Sequence, residues 1–304
     1  SDMLSANGFA EIMCNSLNPA SFYESGDFDR DQLVILTNPL SSDLNAMRQS
    51  LLFGGLSSVA WNINRQNTDL KLYEFGNCYF YKNQGTPVPL ADDYSETKSL
   101  DIFISGNWGK QRWNYKTSPT DFYNIKAVVE MVLARLGIQK ADISIDESKK
   151  KYFSESVKYL SDNLIIAEAG KISSQYLSIF DIGQDVYYAQ INWDLLLKMV
   201  KYHKISYKEL PRYPWVRRDL ALLLNKEVRF NQIREIAFRT EKHILREVDL
   251  FDVYESESLG PGKKSYAVSF IMRDDIKTLT DKTIDKTMNN LITAFEKELK
   301  ANIR

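Results

Sequence analysis

Six cations and one aromatic ring in the last third of the chain carry the chemistry that the sequence offers most plainly. Arg217 and Arg218 stand side by side after two prolines, Lys263 and Lys264 follow Gly260-Pro261-Gly262, and Arg273 and Lys277 follow an apolar run. Tyr254 closes a strand-like stretch, 248–254. Lysine and arginine neutralise phosphates and a flat ring stacks on a splayed base, so the set suits a looped, single-stranded nucleic acid. The alternative is solvated surface charge and a tyrosine packed on a sheet edge.

Catalysis finds less support. His203 and His243 have no cysteine or acid at ligand spacing and read as linker or surface histidines. Gly-x-Ser-x-Gly, P-loop and dinucleotide fingerprints do not occur. Pro261 removes an amide donor between Gly260 and Gly262, which favours a β-turn over a phosphate loop. The acid pairs Asp92-Asp93 and Asp274-Asp275 sit in turn-like contexts and read as solvated loops. No catalytic residue, metal site or bound cofactor is expected in this chain.

The 304 residues, 44% hydrophobic and 26% charged, are enough for two cores. Cys14 and Cys78 provide neither a disulfide framework nor zinc spacing, which fits a reducing compartment. No run of about 18 apolar residues is present to span a membrane, and the amino terminus lacks a signal pattern. A cytoplasmic chain without membrane contact is therefore expected. The opening at Ser1 rather than methionine is expected of a piece of a longer protein. The net charge of −1 divides unevenly, with 19 Lys and Arg against 16 Asp and Glu over residues 205–304, and 20 against 24 before them. That difference favours RNA contact by the second part only weakly.

The elements that must position the cations begin at residue 210. Pro211 and Pro214 stiffen a linker over about 201–214, and the apolar run 220–224 reads as a buried strand. Helical spacing at Ile233, Ile236 and Ala237, strands at 248–254 and 265–272, and a helix over 280–299 follow, with a possible short strand at 302–304. The order β-α-β-β-α suits a ferredoxin-like split βαβ sandwich with two helices on one sheet face and the other face free to bind. Strict alternation places Val248, Leu250, Asp252 and Tyr254 on one face of their strand. Phe251 and Val253 are then expected under the helices and Tyr254 on the open face. Asp219 reads as a structural partner of Arg217 or Arg218.

Residues 1–205 form the other expected domain, with 206–304 as the second. Strands are expected over 9–16, 32–36, 70–81, 100–105, 154–160, 164–172 and 186–191. Apolar positions from Leu44 through Met47, Leu51, Leu52 and Leu56 to Ile63 mark one long amphipathic helix. Gly54 and Gly55 within it point to close approach of another backbone. Ser118-Pro119-Thr120-Asp121 starts a second helix that Gly137 ends, and 193–200 is a third. Many strands with few helices between them favour an antiparallel α+β arrangement.

Four segments in the second domain carry a resemblance. Residues 211–224, Leu250-Phe251-Asp252-Val253-Tyr254, Gly260-Pro261-Gly262-Lys263-Lys264-Ser265 and Arg273 through Thr278-Leu279-Thr280-Asp281 resemble, in order and spacing, the ferredoxin-fold anticodon-binding domain that closes the bacterial phenylalanyl-tRNA synthetase beta subunit. The first domain is similar to the same family. Asn38-Pro39-Leu40 with Met47-Arg48-Gln49-Ser50-Leu51-Leu52 and Gly55-Leu56 looks like its counterpart of class II synthetase motif 1. Leu72-Tyr73-Glu74-Phe75-Gly76, Asp121-Phe122-Tyr123-Asn124-Ile125-Lys126 and Ala169-Gly170-Lys171-Ile172 continue the match. Nearly the whole chain is covered, and the upstream part that carries the family's editing site is absent.

The resemblance implies a class II synthetase-like antiparallel sheet followed by the ferredoxin-like domain. It also implies that chemistry lies elsewhere. Class II aminoacylation uses a motif 2 arginine and a motif 3 arginine to meet phosphate charge. The residue two before Glu74 is Leu72, and no glycines precede an arginine between residues 159 and 193. The expectation is a non-catalytic subunit fragment of a phenylalanine-tRNA ligase, packed on the catalytic alpha subunit in a two-alpha, two-beta assembly. Leu44, Met47, Leu51, Leu52 and Leu56 are the expected subunit interface. The second domain is expected to bind the anticodon region of tRNA-Phe, not DNA, through Arg217, Arg218, Tyr254, Lys263, Lys264, Arg273 and Lys277. ATP and magnesium are expected to serve the full complex. A free-standing amino-acid-activating enzyme and a structural protein-interaction module without RNA contact are the alternatives.

Overall fold

The structure is a computed structural model that describes residues 1–24, 27–82, 91–110, 112–114, 116–138, 143–201, 207, 209–256 and 259–303. It divides into two compact units, Ser1–Ile205 and Ser206–Arg304. His203 and residues 202–206 and 208 of the expected linker lie outside the described residues.

Unit 1 opens with α1 (Asp2–Ala6), β1 (Ala10–Glu11), β2 (Leu17–Asn18), β3 (Ala46–Met47), α2 (Leu52–Ile63), β4 (Leu70–Tyr81) and β5 (Tyr94–Ser105). It continues through α3 (Phe122–Arg135), β6 (Ser144–Glu147), β7 (Phe153–Ser161), β8 (Leu164–Ile172), α4 (Ser174–Ser178), β9 (Val186–Asn192) and α5 (Trp193–Lys201). Seven strands form one sheet in the order β1-β4-β5-β9-β8-β7-β6, antiparallel except where β1 joins β4. Alternation along β4 and β5 sends Tyr73, Leu100, Ile102 and Ile104 to a core with α3, and Leu70, Leu72 and Phe103 to a core with α2. Both faces of the sheet are thus covered.

The expected helix over 44–63 begins only at Leu52. Residues before it are drawn into short extended pairings, Leu17 with Met47 and Asn18 with Ala46, and Ser50 Oγ accepts the Leu52 N–H at 3.2 Å. The glycines of α2 admit side chains rather than another backbone. A Cβ on Gly55 would lie 2.0 Å from the Phe103 ring, and one on Gly54 would lie 2.8 Å from Cys14 Cβ. The expected strand 9–16 shrinks to β1, and 32–36 holds a turn and a single bridge at Ile35. Helix α3 is capped by Asp121, not Ser118. Asp121 Oδ1 accepts the Asn124 N–H at 3.0 Å and Asn124 Oδ1 accepts the Asp121 N–H at 2.9 Å. Asp93 is buried, unlike the solvated loop acid expected of it.

Unit 2 consists of β10 (Val216–Asn225), α6 (Phe230–Thr240), β11 (Leu245–Tyr254), β12 (Lys263–Met272), α7 (Asp281–Leu299) and β13 (Asn302–Ile303). The sheet order is β11-β12-β10-β13, all antiparallel. Leu222, Leu224, Tyr266, Val268 and Phe270 on one face meet Ile233, Ile236 and Ala237 of α6 and Ile284, Met288, Leu291 and Phe295 of α7. Both helices cover that face, as a split βαβ sandwich requires. The other face has no helix of this unit on it.

Candidate nucleic-acid interface

The open face of unit 2 can be read from strand register. Arg217, Asp219, Ala221 and Leu223 of β10 pair with Ile271, Ser269, Ala267 and Ser265 of β12, so these residues share a face opposite the Val268 and Phe270 core positions. Small residues form the middle of that face, which leaves a shallow floor between the side chains of β10 and β11.

On the β11 side the alternation breaks. Leu250 pairs with Val268 and Asp252 with Ala267, so Phe251 is the extra residue of a β-bulge. Before the bulge Val248 and Leu250 point into the core; after it Tyr254, paired with Ser265, lies on the open face. Phe251 therefore leaves the helix side expected for it. It is 53% exposed, and the Arg217 guanidinium carbon sits 5.1 Å from its ring centroid. Val253 pairs with the core residue Tyr266 and so keeps the helix-side direction. A cation over an exposed ring makes a flat platform to which a base can add a further layer.

The other candidate residues separate. Arg218 pairs with the core residue Phe270 and faces the helix side, its Nη2 3.7 Å from Asp281 Oδ1. Adjacent arginines on one strand point to opposite faces, so only Arg217 reaches the platform. Asp219 Oδ1 accepts from Arg217 Nε at 2.8 Å and steadies it beside Phe251. Lys264 pairs with Leu224 on the core face, is 7% exposed, and its Nζ donates to the Tyr266 hydroxyl at 2.7 Å. A lysine so enclosed is a structural partner rather than a phosphate contact. Lys263 is half-buried at the same end of β12. Arg273, at the opposite end, shares Asp275 with Arg246. Lys277 is exposed in the loop before α7 and makes no ion pair among the described residues. The expected set thus becomes a centre of Arg217 and Phe251 with Tyr254, and cations at the two ends of β12.

The expected subunit interface changes as well. Leu51, Leu52 and Leu56 are 0% exposed inside unit 1's own core, which leaves them no surface for a partner. Leu44 and Met47 are half-buried. Large apolar side chains that do meet solvent in this part of the chain are Met13, Ile35, Leu40 and Trp61.

The place where phosphate-binding chemistry would need cations holds other groups. Leu72 is buried among apolar side chains, and Glu74 is locked to Arg48, Oε1 to Nη1 at 2.8 Å. Among the described residues no group of three His, Cys, Asp or Glu side chains could hold a metal ion. No helix among them is long and apolar enough to cross a membrane.

Comparison with known proteins agrees with this division. The family model "Phenylalanyl tRNA synthetase beta chain CLM domain" matches residues 1–193, and "Ferredoxin-fold anticodon binding domain" matches 211–304. The phenylalanine–tRNA ligase beta subunit of Bacteroides thetaiotaomicron is 43% identical over 300 residues, covering 98% of this chain and 37% of that protein. The corresponding subunit of Porphyromonas gingivalis is 41% identical over 308 residues, covering 100% of this chain and 38% of that protein. The chain therefore spans under two fifths of the length of these relatives. A pyrrolysyl-tRNA synthetase from Desulfitobacterium hafniense superposes with a TM-score of 0.47 at 15% identity over 66% of each chain, a likeness too loose to bear on function. The match over residues 1–193, joined to an anticodon-binding domain of ferredoxin-like fold, places this chain in the phenylalanyl-tRNA synthetase beta chain family.

Proposed function

We propose that this chain is the non-catalytic carboxy-terminal part of a cytoplasmic phenylalanine–tRNA ligase beta subunit, and that unit 2 receives the anticodon region of the tRNA on its open sheet face. The observation that carries the reading is the Phe251 ring, exposed beside Arg217 over the Ser265, Ala267 and Ser269 floor. Unstacked loop bases can lie on the ring while Arg217 meets either a base face or a phosphate. Unit 1 supports the catalytic alpha subunit, with Met13, Ile35, Leu40 and Trp61 as apolar surface suited to a partner. The residues around Leu72 and Glu74 do not fit ATP, because one is apolar and the other is already tied to Arg48. ATP and magnesium belong to the alpha subunit's chemistry.

Phe251→Ala and Arg217→Ala should each weaken tRNA-Phe binding about tenfold or more, since a stacked base contributes about 1–3 kcal/mol. Anisotropy titration of the full chain, alone and with the alpha subunit, measures this; circular dichroism should be unchanged because both side chains are exposed. Affinity equal to that of the unsubstituted chain in both variants would remove the platform from the interface.

One observation favours a protein partner instead. Asp219, Asp249 and Asp252 surround the platform, and carboxylates repel phosphate. Salt dependence separates the two readings. Lys277→Ala should lower the slope of log K against log salt by about one if the loop before α7 meets a phosphate. Binding that shows no salt slope at all would favour the protein-interaction module.

A further inference from the structure

Unit 1 contains a cavity of about 310 Å³, on the α2 side of the large sheet. Its floor comes from four adjacent strands, whose register aligns Glu168 with Gln190 and Cys78 with Thr97 on the Ser99 face. Lys150, in the turn before β7, lines the same space.

The polar groups there are only partly engaged. Glu168 is 7% exposed and accepts from Ser148 Oγ at 2.5 Å. Lys150 is half-buried, yet its ammonium makes no ion pair with Glu168 or any other acid among the described residues. The Gln190 amide and the Thr97 hydroxyl line the cavity, and neither makes a hydrogen bond within the described residues. Ser99 is held from behind, donating to Asp101 and to Ile191 O at 3.3 Å. An acid and a base that share one cavity without meeting, with an idle amide beside the acid on the neighbouring strand β9 and Phe80 as an apolar wall, are complementary to a compact ligand carrying both charges.

We propose that this cavity binds a free amino acid, its ammonium at Glu168, its carboxylate at Lys150 and the Gln190 amide, and its side chain toward Phe80. The volume is at the low end of ligand cavities, roughly 300 Å³ and above, which suits a molecule of that size. The site is independent of the RNA platform, since every lining residue belongs to unit 1.

The test is saturation-transfer NMR on the full chain with each standard amino acid at millimolar concentration, alongside its N-acetyl and carboxamide derivatives. At least one free amino acid with an apolar side chain should give transfer, and masking either charge should abolish it. Lys150→Ala and Glu168→Gln should each weaken binding about tenfold or more, the loss expected when one charge-assisted contact is removed. Affinity for tRNA should not change in Lys150→Ala, whose side chain lies in a turn and is dispensable for folding. Absence of transfer from every free amino acid, equal transfer from the masked derivatives, or unchanged affinity in Lys150→Ala would each overturn the proposal.

Discussion

Arg48→Ala is expected to destabilise unit 1 by about 3–5 kcal/mol, because it strands a buried carboxylate without its counter-charge. Glu74 is 1% exposed, and its Oε1 accepts from Arg48 Nη1 at 2.8 Å and from the Cys14 N–H at 3.2 Å. Its Oε2 has no hydrogen-bond partner among the described residues. The guanidinium also donates from Nε to Asn77 O at 2.9 Å and from Nη1 to Cys14 O at 3.3 Å. One side chain thus ties the segment after β1, the segment before α2 and the middle of β4. Gly76 is part of the arrangement, since a Cβ there would lie 2.4 Å from Arg48 Nη2.

The pair itself need not be strongly stabilising, because desolvating two charges offsets most of their attraction. That distinction gives the test its shape. Arg48→Ala should lower the urea midpoint and the exchange protection of β4 and β5 amides. Arg48→Met combined with Glu74→Gln should recover a large part of the loss, since no charge remains buried. A loss below about 1 kcal/mol in the single variant would mean that water reaches Glu74 and that the carboxylate was never isolated.

Where local rules operate alone, the sequence predicts the structure closely. The strand expected over 164–172 is β8, Leu164–Ile172, and that over 70–81 is β4, Leu70–Tyr81. Both are long, apolar on at least one face and bounded by turns, so period and boundary agree. The start of α2 was not legible. Leu44, Met47 and Leu51 fall at helical spacing, but pairing with residues 17–18 captures that stretch first, and no local signal announces a partner so distant in sequence.

The candidate interface shows the same limit on a smaller scale. The alternation rule fails at Phe251 because a bulge adds one residue to β11, and nothing in Leu250-Phe251-Asp252 marks it; no glycine is present there. Knowing the bulge would have put Phe251 on the open face, while its place beside Arg217 follows from the register of both strands on β12. Lys264 misled for a different reason: a lysine in a hairpin reads as solvated until the register puts it opposite Leu224. The resemblance pointed to the domain that carries the candidate interface, but the arrangement of side chains on it depends on tertiary register.

Asp101 supplies the second large effect, as a pH dependence of stability. It is 0% exposed, accepts from the Ser99 and Tyr188 hydroxyls, and its pKa is raised from 3.8 to about 7. Burial is the main cause; the two hydroxyls oppose it, nearby Glu74 adds to it and Arg48 reduces it. The folded chain therefore holds this proton more tightly than the unfolded chain does. Stability from this group is complete below about pH 4 and is lost as pH rises toward 7, by an amount on the order of 4 kcal/mol. Asp101→Asn stays neutral throughout, and the Ser99 and Tyr188 hydroxyls can rotate to meet its amide. The difference in urea stability between variant and wild type should favour the variant progressively from about pH 4 to about pH 7 and level off above that. Combining Asp101→Asn with Arg48→Ala should recover more stability at pH 8 than Asp101→Asn gives alone, because removing the guanidinium deprives Asp101 of its cation. Parallel pH profiles for wild type and Asp101→Asn would show that the carboxyl titrates no differently in the fold than in the open chain, and the buried polar centre beneath the sheet would then need another proton donor.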